Sequence, residues 1–196
     1  MSGTLSTNYF TSAEIVSNTT TRTSMTIGNR MIRRQVGGQF WTIKLTSTRL
    51  NRDEYAELYA FLVKQDGPYD SFTVVPPIYG STRGTSVSGT PTVLDDYAAG
   101  LTSIRANQGS GTLKTGDFIK FSNHDKVYML TADVNQDASS EDTFQFFPPL
   151  STAIDNTTTI QYNNVPFTVI LTTDTQTIKT NADGTSEIEF TVREDI

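Results

Sequence analysis

Gly37 to Pro77 read GGQFWTIKLTSTRLNRDEYAELYAFLVKQDGPYDSFTVVPP, a strand, a helix and a second strand in close succession. Phe40 to Thr46 is rich in aromatic and β-branched residues, with Trp41, Ile43 and Leu45 alternating against Phe40, Thr42, Lys44 and Thr46. That period of two puts the first set on the core side of a strand. A helix then begins at Asn51, whose side-chain oxygen suits an N-cap, with Glu54 three residues on to complete a capping box. Leu50 and Tyr55 flank the pair as a hydrophobic staple. Tyr55, Leu58, Tyr59 and Leu62 fall on one apolar face. Asp53 and Glu54 in the first turn and Lys64 in the last suit the helix dipole. Gly67 and Pro68 stop the helix, and Ser71 to Val75 forms the second strand before Pro76-Pro77. The pattern predicts no other helix.

Outside this stretch the composition favours strands. The chain has 196 residues, a hydrophobic fraction of only 36% and a large share of threonine, which suits many short strands with one solvated face. The predicted class is therefore mainly β with one helix. A net charge of -6 argues against nucleic-acid binding by bulk electrostatics. The absence of cysteine excludes a disulfide framework, a thiolate metal site and a cysteine nucleophile. The N-terminus has no charged region followed by an apolar run, and no stretch approaches the roughly 18 to 20 apolar residues that span a bilayer. A soluble chain without membrane insertion is expected.

Upstream, Met1 to Asn18 is polar with scattered Tyr9, Phe10, Ile15 and Val16, either a strand or an arm that orders on a partner. Thr19 to Met25 reads as a strand, Gly28-Asn29 as a turn, and Arg30, Arg33 and Arg34 form the strongest positive cluster in an acidic chain. Those arginines suit two roles: a solvated strand edge protected against unwanted pairing, or a subunit interface against an acidic neighbour.

Downstream, Tyr79 to Pro91 (YGSTRGTSVSGTP) reads as a polar connection. Short strands are predicted at Thr92 to Leu94 and Thr102 to Arg105. A hairpin follows, with Leu113 to Ser122 and Val127 to Asp133 joined at Asn123-His124-Asp125. Further strands at Thr143 to Phe147 and Thr158 to Tyr162 bring the count to five or six, right for a small closed β-barrel. Phe167 to Leu171 and Ser186 to Val192 then form a terminal pair around Asn181-Ala182-Asp183-Gly184, with Ile188, Phe190 and Val192 on one hydrophobic face. Two polar connections and a terminal pair in need of a sheet predict a discontinuous domain, 1–78 with 165–196, interrupted by an inserted barrel, 79–164.

Catalytic chemistry finds little footing. His124 is the sole histidine and sits in a predicted turn, so an exposed turn residue is expected. The glycines at Gly37-Gly38 and Gly109-Ser110-Gly111 precede strands rather than a phosphate-binding helix. Asp133, Asn135 and Asp137 have the 1, 3, 5 spacing of calcium ligands. However, Ala138 replaces the required glycine and Phe144 the bidentate glutamate, so a polar hairpin tip is expected. Glu54 and Glu57 read as a solvated helix face. No catalytic, metal or cofactor-binding residue is assigned, and no enzyme activity is expected.

The GGQ-aromatic-Trp strand, the helix with Arg52-Asp53-Glu54 leading into Ala60-Phe61-Leu62, and the Phe-containing strand closing on Pro-Pro resemble the distal-tail or baseplate-hub proteins of tailed bacteriophages. A second block is similar to the same family: Leu113 to Phe121, then Lys126-Val127-Tyr128, then Phe146-Phe147-Pro148-Pro149-Leu150. The resemblance runs from about Gly37 onward and is a pattern of structural residues. It implies a tail-tube-like β-barrel or sandwich with a flanking helix, part of a ring, commonly hexameric, at the tip of the tail tube and carrying an extra outer domain. The implied partners are copies of itself, the tube protein, and hub or fibre proteins. The implied location is the virion tail tip or baseplate, assembled in the host cytoplasm. An alternative of another class is a carbohydrate-binding accessory module of a cell-wall-active protein, with Tyr79, Tyr97 and Tyr128 stacking on sugars.

Overall fold

The computed structural model describes residues 3–6, 8–137 and 141–196. In chain order the elements are β1 (Phe10–Asn18), β2 (Thr21–Met25), β3 (Met31–Gln35), β4 (Phe40–Ser47), α1 (Arg52–Lys64), β5 (Phe72–Val74), β6 (Thr85–Val93), β7 (Ser103–Leu113), β8 (Phe118–Phe121), β9 (Val127–Leu130), β10 (Val134–Gln136), β11 (Asp142–Phe147), β12 (Ile160–Gln161), β13 (Phe167–Leu171) and β14 (Glu189–Glu194). The protein is mainly β with a single helix among the described residues, as the composition predicts.

One antiparallel sheet has the order β1-β4-β14-β13-β5. The quoted strand β4 lies between β1 and the central β14, and in it Trp41, Ile43 and Leu45 are buried while Phe40, Thr42, Lys44 and Thr46 are half-exposed. The register places Ile43 opposite Ile15 on one side and Val192 on the other, so one apolar row runs across the sheet. Gly3 and Leu5 exchange backbone hydrogen bonds with Thr73, covering the outer edge of β5, whereas no strand among the described residues pairs with the outer edge of β1.

Helix α1 connects β4 to β5 at the far edge of the sheet. Asn51 Oδ1 accepts from the Asp53 and Glu54 backbone N–H groups, and Glu54 Oε2 accepts from the Asn51 N–H, completing the capping box. Leu58 and Leu62 are buried, with Tyr55 and Tyr59 half-buried beside them. At the helix end Asp66 and Gly67 both take left-handed φ, 52° and 63°. A Cβ on Gly67 would lie 2.9 Å from Asp174 Oδ1, so both conformation and space select glycine.

The segment between β5 and β13 forms a barrel-like sheet, β10-β7-β11-β9-β8-β12, with β6 paired to β7. A bridge between Thr92 and Thr159 brings β12 back to β6 and nearly closes it. The polar connection expected over Tyr79 to Pro91 is in large part strand, because β6 pairs with β7 from Thr85 onward. Glycines make this possible: the register shifts beside Gly89, whose φ is 83° and where a Cβ would meet Gln108 O at 2.4 Å. The Gly109-Ser110-Gly111 run likewise lies inside β7 rather than before it.

Two hydrophobic cores result. The first contains the β4, β13 and β14 residues with Leu58 and Leu62; the second contains Ile104, Ile119, Phe121, Tyr128, Leu130, Phe144 and Phe146. Hairpin β8–β9 serves both. Ile119 and Tyr128 face the barrel, while Phe118 and Val127, on the opposite face, belong to the first core.

Because Leu58 is 3% exposed on that helix face, Leu58→Ala is expected to lower unfolding stability by about 2–5 kcal/mol. Reversible denaturation checks it, and a loss below about 0.5 kcal/mol, the range of surface substitutions, would place the helix face outside the core.

Candidate functional site

The basic cluster lies on an arm. Strands β2 and β3 continue the β1–β4 hairpin beyond the sheet and pair with each other from Thr21↔Gln35 to Met25↔Met31. The tip turns at Asn29, in left-handed conformation, with Asn29 N–H donating to Thr26 O and Thr26 N–H donating to Arg30 O. Every residue from Thr19 to Gly38 is exposed. That includes Met25, Ile32 and Ile27, the last fully in solvent at 110%. Between Thr19 and Val36 the arm carries four arginines and none of the chain's 21 acidic residues.

The pairing divides the predicted cluster. Directly opposed residues share a face of a two-stranded ribbon, so Arg34 stands with Arg22, its register partner, while Arg33 stands opposite Thr23 on the other face. Arg33 Nε points at Met31 Sδ, 3.2 Å away, and Arg30 sits at the tip turn. The structure thus brings together Arg22 and Arg34 rather than Arg33 and Arg34. None of the ion pairs found among the described residues includes any of these four arginines.

At the root of the arm lies a buried polar cluster. Lys126, just before β9, and Glu194, at the end of β14, form an ion pair with side chains 3% and 0% exposed. Lys126 Nζ also donates to Gln39 O at 3.0 Å and Gln39 Oε1 at 2.8 Å. Glu194 accepts two backbone N–H groups, one from Trp41 at 3.1 Å and one from Val127 at 2.9 Å. Trp41 Nε1 donates to Val127 O at 2.9 Å, and the Trp41 ring meets Phe118 edge-on at 5.2 Å. Burial pushes the Glu194 carboxyl up and the Lys126 ammonium down, with the attraction between them opposing both shifts. This latch draws its hydrogen bonds from the sheet and the barrel together.

Gln39, Lys126 and Glu194 were not singled out by sequence pattern, although two left a trace. Glu194 continues the Ile188, Phe190, Val192 row, and Gln39 precedes the Trp41, Ile43, Leu45 row in the same phase. A polar residue in core phase is the signal. Lys126 left none.

Other predicted residues take structural roles. His124 is half-buried rather than exposed. Its Nδ1 meets Asn123 Oδ1 at 2.6 Å and its Nε2 meets Tyr128 OH at 2.8 Å, and burial lowers its pKa. Asp133 accepts from Lys114 Nζ, Thr115 N–H and Thr115 Oγ1, which hold its carboxyl well below the usual carboxylate range. Asn135 pairs with Thr112, while Ala138 lies outside the described residues. Glu54 is engaged in the helix cap and Glu57 is exposed. Tyr128 is fully buried and cannot stack on a sugar; Tyr97 OH accepts from the Arg105 N–H, and Tyr79 packs edge-on to Phe118. No helix among the described residues is long and apolar enough to cross a membrane.

The chain is thus a β-sheet with one flanking helix, joined to a small barrel and bearing an exposed two-stranded arm. Residues 79–165 match the family described as "Distal tail protein pb9, B domain", a phage tail family. The resemblance drawn from Leu113 to Phe121 and Phe146 to Leu150 falls inside this match, which supports a structural role in a phage tail. No curated protein matches the sequence.

Lys126→Met leaves the Glu194 carboxylate buried without its cation, a change expected to lower stability by about 3–5 kcal/mol near pH 8. The deficit should narrow on acidification. With its pKa raised, Glu194 binds its proton in the folded state before the unfolded chain does, so stability is gained as pH falls toward the ordinary value of 4.5. Denaturation of both proteins across this pH range checks the slope; parallel wild-type and mutant curves would mean that Glu194 is solvated.

Proposed function

We propose that this chain is a ring-forming structural subunit at the distal end of a phage tail, joining the tail tube to the baseplate or tail tip. The observation that carries this reading is the match of residues 79–165 to a distal-tail domain. In it, 1–78 and 165–196 form the ring domain, and 79–164 an inserted barrel held against it by the latch. The ring is six-fold, as the resemblance implies, and the chain acts as a virion component without enzymatic activity.

Physical features support assembly through surfaces rather than a pocket. A ring needs a heterologous interface, two different patches on one chain that fit each other and close. The outer edge of β1, with which no strand among the described residues pairs, offers backbone groups, and the arm offers Arg30, Arg33 and Arg34 as interface residues for charge-assisted bonds to carboxylates. The partners in this reading are copies of the chain, the tube protein, and hub or fibre proteins.

Antibody labelling of the parent particle in electron micrographs tests the location; label along the tube or on the head, with none at the tip, would overturn it. For the interface, Arg33→Glu with Arg34→Glu should leave the melting temperature of the isolated chain nearly unchanged, because both side chains are exposed. The same variant should sharply reduce infectious particles on complementation. Wild-type particle numbers would remove these arginines from the interface.

A further inference from the structure

We infer that Lys126 and Gln39 react with each other to form an intramolecular amide bond, with Glu194 carrying the proton and ammonia leaving. Such a bond is independent of the ring reading. An amine, a carboxamide and a carboxyl group meet here in one buried site. The Lys126 and Glu194 side chains are 3% and 0% exposed, and Gln39 is 3% exposed. Lys126 Nζ contacts Glu194 Oε2 and also lies 2.8 Å from Gln39 Oε1. The carbonyl carbon Cδ is one C=O bond behind Oε1, so it lies within about 4 Å of Nζ. A small turn of the carboxamide brings it to the roughly 3–3.5 Å of a near-attack arrangement. The other end of that amide is held as well: Nε2 donates to Ser17 Oγ at 3.0 Å, which keeps the carbonyl end toward Lys126.

The ion pair already holds the proton that the reaction moves. Its transfer from Nζ to Glu194 Oε2 leaves an amine with a free lone pair beside a neutral acid. Burial favours both products, since it lowers the pKa of the ammonium and raises that of the carboxyl. Nζ then attacks Cδ, so that a C–N bond forms and the carbonyl electron pair moves onto Oε1. Glu194 gives its proton to Nε2 and takes one from Nζ. The Cδ–Nε2 bond breaks, the carbonyl re-forms, and ammonia leaves with the electron pair of the broken bond. One amine and one primary amide thus become one secondary amide and ammonia, with nothing oxidised or reduced. The Trp41 and Val127 N–H groups hold the carboxyl group in place, and burial keeps out water, the competing nucleophile. The product ties Gln39, just before β4, to Lys126 of the barrel, 87 residues further along a chain without cysteine. It is a single turnover of the chain on itself and leaves no enzyme activity behind. The ion pair described above is the chain before the bond forms.

The intact mass of the full wild-type chain, measured after denaturation, tests the bond. It should fall below the mass of the sequence by one ammonia, about 17 Da. A tryptic digest should contain the Gln39 peptide joined to the Lys126 peptide, uncut after Lys126. Lys126→Arg keeps the charge and removes the attacking amine, and Glu194→Gln keeps the shape and removes the proton carrier. Both variants should retain the full mass. Wild type at full mass, whether fresh or after prolonged incubation, overturns the bond and leaves the ion pair as the whole of the latch. The same loss mapped to another position, such as a succinimide at an asparagine, overturns it equally. A joined peptide in E194Q at the wild-type yield overturns Glu194 as the proton carrier. The wild-type mass and digest decide the matter even where a variant fails to fold.

Discussion

Lys126 and Glu194 are buried together where the two cores meet, and the relation between sheet and barrel depends on them. An ion pair in that position is not a large source of net stability, since removing both charges from water offsets much of their attraction. Its effect is on specificity. Glu194 accepts amide hydrogens from Trp41 of the sheet and Val127 of the barrel, and Lys126 reaches back to Gln39. Sliding or rotating the barrel on the sheet would strand a buried cation, a carboxylate and two amides. Phe118 and Val127 supply the apolar contact around this cluster, so one arrangement satisfies both packing and polarity.

The same cluster explains why hairpin β8–β9 reads as it does. Its strands are short and apolar on both faces, with Ile119 and Tyr128 turned into the barrel and Phe118 and Val127 into the neighbouring core. A strand buried on both sides loses the polar alternation that marks a half-solvated one. Residues 79–164 therefore share part of their outer surface with the rest of the chain. Removing them would leave Glu194 without a cation and Trp41 without Phe118.

Local signals in the sequence were reliable where local chemistry decides structure. The capping box at Asn51 and Glu54, the Leu58 and Leu62 face and the β4 alternation are all set by neighbours within a few residues, and each is found as read. Glycine-rich sequence misled where a partner strand decides: Thr85 to Val93 looks like a linker until β7 lies beside it, with Gly89 absorbing the register shift. The arginines were visible as a cluster, but their faces were not. Arg22 joins Arg34 only through cross-strand register, which is a long-range property. Lys126 stood in the quoted Lys126-Val127-Tyr128 block, but its burial and pairing were not legible because its partners, Gln39 and Glu194, are distant in the chain.

Gln39 connects the latch to the arm. It is the first buried residue after the exposed run that ends at Gly38, and its Nε2 donates to Ser17 Oγ on the opposite strand of the same hairpin. One side chain thus clamps the root of the arm across β1 and β4 and accepts from Lys126 of the barrel. Gly37, with φ 97° and no neighbour within reach of a Cβ, and the equally open Gly38 lie just outside the clamp. Backbone freedom is concentrated on the arm side of Gln39 and removed on the body side. The root of the arm cannot shift without breaking the Lys126 bonds to Gln39. The root of the arm is thereby tied to a frame that includes both the sheet and the barrel.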